Sequence, residues 1–113
     1  MKIIKQKISV EELNTIAAVL FGDMVKGVVD IDQGIFALDA ELHSDLQALL
    51  LQDGSRPANL WGINLYPKAS KEDFLEYDSM INVRPSAGNR SRTVESETTR
   101  KKISEVVAKW IAR

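Results

Sequence analysis

The pattern that sets the architecture of this chain is MVKGVVDIDQGIFALDAEL, residues 24–42. Within its first half, Val25, Val29 and Ile31 alternate with polar side chains. A period of two is typical of a β-strand that buries one face and exposes the other. The alternation therefore predicts a strand over Val25–Asp32.

A turn signal, Gln33-Gly34, follows that strand directly. Such a pair suits a two-residue hairpin turn, so the return strand is predicted over Ile35–Leu42. The buried face would then pair Ile31 with Phe36, Val29 with Leu38, and Val25 with Leu42. The opposite face would place Lys26 across from Glu41, which supports the same register from the other side of the sheet.

Three helices are predicted from their starting signals and apolar spacing. Ser9-Val10-Glu11-Glu12 is a capping box that starts a first helix at Val10. Ser44-Asp45-Leu46-Gln47 repeats this logic for a short second helix that stops at Asp53-Gly54. A third helix is predicted from near Ser96, and its apolar side chains at core spacing are Ile103, Val106, Val107, Trp110 and Ile111.

A second hairpin is predicted from two strand-like stretches, Trp61–Tyr66 and Phe74–Arg84, on either side of the polar segment 68–73. Its buried face would align Leu65 with Leu75 and Ile63 with Tyr77. Its polar face would carry Asn64, Glu76, Asp78, Asn82 and Arg84.

These elements, with a short strand near Lys2–Lys5, predict an α+β fold. We expect an antiparallel or mixed sheet built from two β-hairpins, with about three helices stacked over one face. No linker, repeat or low-complexity segment divides the sequence, so residues 1–113 are predicted to form a single domain.

Composition excludes several classes of protein. The chain has no cysteine, so neither disulfides nor thiolate metal sites hold it together. Its early apolar run, residues 16–21, is too short for a signal-peptide core or a bilayer-spanning helix. A cytoplasmic protein without membrane association is the expectation, and the net charge of −1 argues against a general polyanion binder.

Positive charge is nevertheless concentrated in one segment, because residues 84–102 contain six basic side chains and only two acidic ones. The predicted ligand-binding residues are Asn82, Arg84, Asn89, Arg90 and Arg92. Guanidinium groups beside the flexible Gly88 suit a bound phosphate, carboxylate or nucleic-acid backbone. The alternative is that these arginines hold the loop in place by binding carbonyls and acids of the protein itself.

His43 is the only histidine, and the predicted register places it at a strand end just before the second helix. It is a candidate general base, although a partly buried polar residue at a junction is the more common situation. Asp30, Asp32 and Asp39 are expected on the solvated side of the sheet rather than around a cation. The sequence therefore predicts neither a metal nor a cofactor.

Several segments together resemble a small prokaryotic family of uncharacterised proteins, a domain of unknown function that covers essentially the whole chain. The segments are His43-Ser44-Asp45, Leu49-Leu50-Leu51, Asp53-Gly54-Ser55, LWGINLYP at 60–67, DSMINVRP at 78–85 and GNRSR at 88–92. The resemblance implies that they belong to one compact unit, and it assigns no activity.

Three functional hypotheses follow. The first is an anion-binding module whose Arg84–Arg92 loop holds a nucleotide, nucleic-acid backbone or anionic metabolite. The second is an interaction protein that self-associates as a homo-oligomer through a sheet edge or its C-terminal helix. The third is a hydrolase with His43 as general base and Arg84 or Arg90 stabilising developing negative charge.

Overall fold

The computed structural model describes residues 1–112 and contains two sheets. The main, antiparallel sheet has five strands: β1 (Lys2–Ile4), β3 (Val25–Asp30), β4 (Ile35–Leu38), β5 (Leu60–Leu65) and β6 (Leu75–Glu76). Their spatial order is β1-β4-β3-β5-β6, so β3 lies at the centre. A small parallel pair joins β2 (Ile8–Ser9) to β7 (Ile111–Ala112). The predicted α+β fold is confirmed.

The three helices of the described chain are α1 (Val10–Leu20), α2 (His43–Gln52) and α3 (Glu97–Trp110), and single 3₁₀ turns lie at Pro57–Asn59, Met80–Asn82 and Pro85–Ala87. Two of the predicted helix starts are confirmed. The Ser9 hydroxyl accepts the Glu12 amide at 3.1 Å, and the Ser96 hydroxyl accepts the Thr99 amide at 3.2 Å. Each bond satisfies an amide that has no partner within its own helix.

The predicted register of the first hairpin is wrong by two residues, because Val29 rather than Ile31 lies opposite Phe36. The strands end earlier than predicted, and four residues connect them. Asp30 causes the difference: its carboxylate accepts the amides of Asp32 and Gln33, each at 2.9 Å, and so starts the turn there. A shift of two residues keeps every side chain on its predicted face of the sheet.

Helices cover both faces of the sheet, so the predicted arrangement over one face is wrong. On one face, Val29 and Phe36 pack in a core with residues of α1 and α3. On the other, Val28 and Ala37 pack in a second core with Leu46 of α2. The reason is that β3 and β4 are apolar on both sides, unlike strands with one wet face.

Asp30 is consequently buried rather than solvated. Its second oxygen accepts the Ser55 hydroxyl at 2.6 Å and the Gln33 carboxamide at 3.0 Å. Both carboxylate oxygens are therefore occupied by the turn that they organise. Among residues 1–112, no three acidic or histidine side chains are grouped to hold a metal ion.

The second hairpin begins as predicted, with Leu65 opposite Leu75, but its return strand ends at Glu76 instead of Arg84. Ser79 fills the space that a Cβ at Gly62 would need, so the chain crosses close over β5. The Asn82 carboxamide then accepts the Gly62 amide at 2.8 Å and donates to its carbonyl at 3.0 Å. A side chain thus replaces the neighbouring strand at this edge.

Candidate functional site

A cavity of about 520 Å³ lies over the α2 face of the sheet and is called the His43 pocket below. Its lining includes the first residues of α2, the sheet residues Lys26 and Asn64, and the segment that follows β6. The lining residues are Met24, Lys26, Leu42, His43, Ser44, Asn64, Tyr66, Glu76, Asp78, Ser79, Met80, Ile81 and Arg92. Ligand pockets commonly have volumes of about 300–1,000 Å³ and combine apolar walls with a few convergent polar groups.

One cross-strand row contributes three polar side chains to this pocket. Lys26 of β3 pairs with Asn64 of β5, and Asn64 pairs with Glu76 of β6. Directly paired residues point to the same face, and neighbouring strands lie about 4.7–4.9 Å apart. The row therefore places a cation at one end, a carboxamide in the middle and a carboxylate at the other end.

The Asn64 side chain is held by hydrogen bonds of its nitrogen, whereas its oxygen has no partner among the described residues. Its Nδ2 donates to Glu76 Oε1 at 2.8 Å and to the Asp78 carbonyl at 3.2 Å. The residue is 6% exposed, and its buried Oδ1 accepts no hydrogen bond from the described residues. A buried acceptor without a donor is uncommon in folded proteins and requires an explanation.

Tyr66 acts as a neutral donor beside this row. Its hydroxyl donates to Glu76 Oε1 at 3.0 Å. Burial, together with the hydrogen bond to Glu76, raises the pKa of Tyr66 to about 12. Tyr66 therefore keeps its proton at physiological pH and fixes one oxygen of Glu76.

His43 is 8% exposed and points its Nε2 at the Ile63 carbonyl, 2.8 Å away. A carbonyl accepts, so Nε2 carries the proton in this contact. Burial lowers the pKa of His43, and nearby Lys26 lowers it further, although the Ile63 carbonyl and Asn64 partly oppose this shift. At neutral pH the ring is therefore uncharged, and Nδ1 is left as a proton acceptor.

The start of α2 lacks the predicted cap. The helix begins at His43, one residue before the predicted capping residue Ser44, and its N-cap, Leu42, makes no side-chain hydrogen bond. The backbone amides of His43 and Ser44 have no acceptor among residues 1–112. Both residues line the pocket, so two free donors and the positive end of the helix dipole lie beside it.

The charges of the pocket balance. Lys26 has no carboxylate within 4.0 Å among the described residues, and its Nζ lies 5.2 Å above the Phe21 ring. Arg92 binds Asp78, with Nε 2.8 Å from Oδ1, and this contact raises the pKa of Arg92. Two cations, Lys26 and Arg92, thus face two carboxylates, Glu76 and Asp78.

Of the predicted binding residues, Arg84 lies elsewhere. Its guanidinium donates to the Pro57 and Leu60 carbonyls, both at 2.8 Å, and stacks on the Trp61 ring at 3.9 Å. Burial lowers the pKa of Arg84. These contacts match the predicted alternative, in which an arginine holds the protein's own backbone.

The two predicted carboxamides also bind backbone. Besides its contacts with Gly62, Asn82 donates to the Arg92 carbonyl at 3.0 Å. Asn89 donates to three carbonyls at 2.7–3.0 Å and accepts the Glu95 amide at 2.9 Å. The side chain of Arg90 is exposed, while its amide donates to the Glu95 carboxylate at 2.7 Å. Of the five predicted ligand-binding residues, Arg92 is therefore the one that lines the His43 pocket.

Three residues of the pocket, Lys26, Asn64 and Glu76, were not predicted to belong to one site. A polar face was predicted for each hairpin, and these residues lie on those faces. Their proximity depends on β3 pairing with β5, which joins the two hairpins edge to edge. The role of His43 as a general base stays a prediction, to which the structure adds a fixed tautomer.

Fold and pocket together define a small α+β protein with a polar cavity at the start of its second helix. No helix in residues 1–112 is long and apolar enough to cross a membrane. The chain belongs to the family described as Protein of unknown function (DUF5674), whose model matches residues 2–110. No curated protein and no solved structure matches it. The function is therefore argued from the pocket.

Proposed function

We propose that the protein binds a small anionic ligand, a carboxylate or phosphate, in the His43 pocket. The observation that carries this proposal is the uncapped start of α2, where His43 and Ser44 line the cavity and their amides have no acceptor among residues 1–112. Helix N-termini bind anions through such amides and through the helix dipole.

Lys26 strengthens this end of the pocket, because it contributes a cation that no carboxylate of residues 1–112 neutralises at close range. Arg92 contributes a second cation from the basic segment, although Asp78 already engages it. A hydrogen bond that involves a charged group stabilises by about 1.5–3 kcal/mol, so two amides and Lys26 suffice for a specific small-molecule site. A concave pocket of this size suits a metabolite.

The proposal is tested by substituting Leu42 with a residue whose side chain caps α2 and so competes with the ligand for the helix amides. Leu42 has the extended backbone of an N-cap residue, with φ −124° and ψ 135°. We expect Leu42→Asp to place a carboxylate on the Ser44 amide at the positive end of the helix dipole, stabilising the fold by about 1 kcal/mol while weakening anion binding about tenfold or more. Leu42→Asn caps without a charge, and Leu42→Ala removes the same side chain without capping.

Binding is measured by titrating phosphate and acetate while following the backbone NMR signals of residues 43 and 44. Thermal unfolding of the same variants reports the stability gain. The expected order of affinity is Leu42→Ala, similar to the parent, then Leu42→Asn, then Leu42→Asp. If all three variants bind these anions as the parent does, the amides of α2 are not the anion site.

A further inference from the structure

We propose that the ligand is a small zwitterion, an α-amino acid with an apolar side chain. Its carboxylate would meet Lys26 and the free amides of α2, and its ammonium group would meet Glu76 at the opposite end of the row. This inference rests on the proposed anion site and adds the chemistry of the rest of the ligand.

The row Lys26–Asn64–Glu76 has a positive charge at one end and a negative charge at the other. The opposite charges at its ends lie two strand spacings apart on one face of the sheet. Long side chains can converge on a ligand placed between them. Because the two cations and two carboxylates of the pocket balance, a ligand without net charge keeps that balance, whereas a dianion would not.

The Glu76 end of the pocket has a charged acceptor without a donor among the described residues. Glu76 Oε1 receives Asn64 and Tyr66, whereas Oε2 receives no donor from the described residues. Elsewhere in the lining, His43 Nδ1 also receives no donor from the described residues. An ammonium group has three N–H donors and no acceptor, so it suits this end of the pocket and a plain carboxylate does not.

The rim of the His43 pocket carries two exposed apolar side chains. Leu42 and Met80 are 55% and 64% exposed, and both line the pocket. Large apolar side chains at the edge of a polar cavity mark a surface that is covered when a ligand binds. They provide a place for an apolar side chain, while the charged ends of the ligand occupy the floor.

Matched ligands test this inference on the parent protein by calorimetric titration. Each of leucine, methionine and phenylalanine is compared with the acid that lacks its amino group and with the amine that lacks its carboxylate. We expect at least one amino acid to bind about tenfold tighter than its acid and its amine, since each charged contact contributes at least that factor.

Glu76→Gln then removes the carboxylate charge but keeps an acceptor for Tyr66. We expect this variant to lose the preference for the amino acid and to bind the acid as the parent does. Glu72→Gln is the matched control, because it changes the net charge equally on an exposed residue that does not line the pocket.

The outcomes separate this inference from the proposed function. If the acids bind and the amino group adds no affinity, the zwitterion is wrong and the anion site stands. If the amines bind as tightly as the amino acids, the pocket is a cation site and both ideas fail. Absence of binding by every acid and amino acid at millimolar concentration would also overturn both.

Discussion

Asn82 is expected to be among the most sensitive residues of the chain, because one buried side chain replaces a strand at the edge of β5. Its carboxamide makes three hydrogen bonds to backbone: two to Gly62, at 2.8 and 3.0 Å, and one to the Arg92 carbonyl at 3.0 Å. Asn82→Ala would leave these three backbone groups without partners. The free energy of unfolding should fall because desolvated groups lose their hydrogen bonds.

The size of the loss follows from the number of groups. Each buried group left without a partner costs about 1–3 kcal/mol, so the expected loss for Asn82→Ala, with three such groups, is about 3–9 kcal/mol. That is a large part of a total stability on the order of 5–15 kcal/mol. Urea unfolding followed by circular dichroism measures it, and thermal unfolding should shift by more than about 10 °C.

Two further variants sharpen the experiment. Asn82→Asp keeps the shape and the acceptor but replaces two donations with carboxylate–carbonyl repulsion, so we expect it to be at least as destabilising as Asn82→Ala. Asn14→Ala is the control, since Asn14 lies on the half-exposed side of α1 and makes no side-chain hydrogen bond within the described residues. A loss below about 1 kcal/mol for Asn82→Ala would refute the account of this edge, because it would mean that water replaces all three bonds.

Two other predictions concern the charged side chains. Arg84→Ala should lower the free energy of unfolding by about 2–3 kcal/mol, because it removes two hydrogen bonds from a charged group and a stacking contact with Trp61, while Arg84 is half-buried, so that water replaces part of the loss. Arg90→Ala, at an exposed side chain, should leave urea unfolding unchanged, and equal losses for the two variants would contradict this assignment. Because burial lowers the pKa of His43, the unfolded chain takes up the proton first, so stability should be complete above the unfolded pKa of about 6.5 and should fall as the pH drops below it. Urea unfolding of the parent and of His43→Gln at pH 5.5 and 7.5 checks the sign, and NMR titration of the single histidine checks the pKa; a midpoint above the unfolded value would show that burial does not dominate.

Local signals were sufficient to predict part of the fold. Ser9 and Ser96 each have a hydroxyl that caps the next turn, and this interaction depends only on residues three positions away. The hairpin register failed at Asp30, where an alternating pattern gives no sign that the carboxylate is buried against Ser55, 25 positions along the chain. A hydrogen bond between residues so far apart in the sequence cannot be predicted from the periodicity of apolar side chains.

Only two residues of the candidate site, His43 and Arg92, were predicted as functional residues, and the assembly of the site was not predicted. The sequence predicted polar faces for Lys26 and Glu76 and singled out His43, yet it gave no strand order. The order β3-β5-β6 brings these residues together. Conversely, Arg84 and Asn89 were predicted to bind a ligand because they are polar residues in a basic loop, whereas backbone carbonyls accept their hydrogen bonds.

The strongest reason to place function at the start of α2 is that two structural rules fail there together. An exposed leucine occupies the N-cap of α2, although a polar residue there would stabilise the helix by about 1 kcal/mol. Asn64, which lines the same pocket, has a buried oxygen without a donor among the described residues. Outside this pocket, Trp61 Nε1 and Arg84 Nε are also buried without a partner among the described residues, but serine caps both α1 and α3, and Asp30, Asn82 and Asn89 make several hydrogen bonds each. Because departures from local rules concentrate at functional sites, their coincidence in one pocket argues for a ligand that supplies the missing partners.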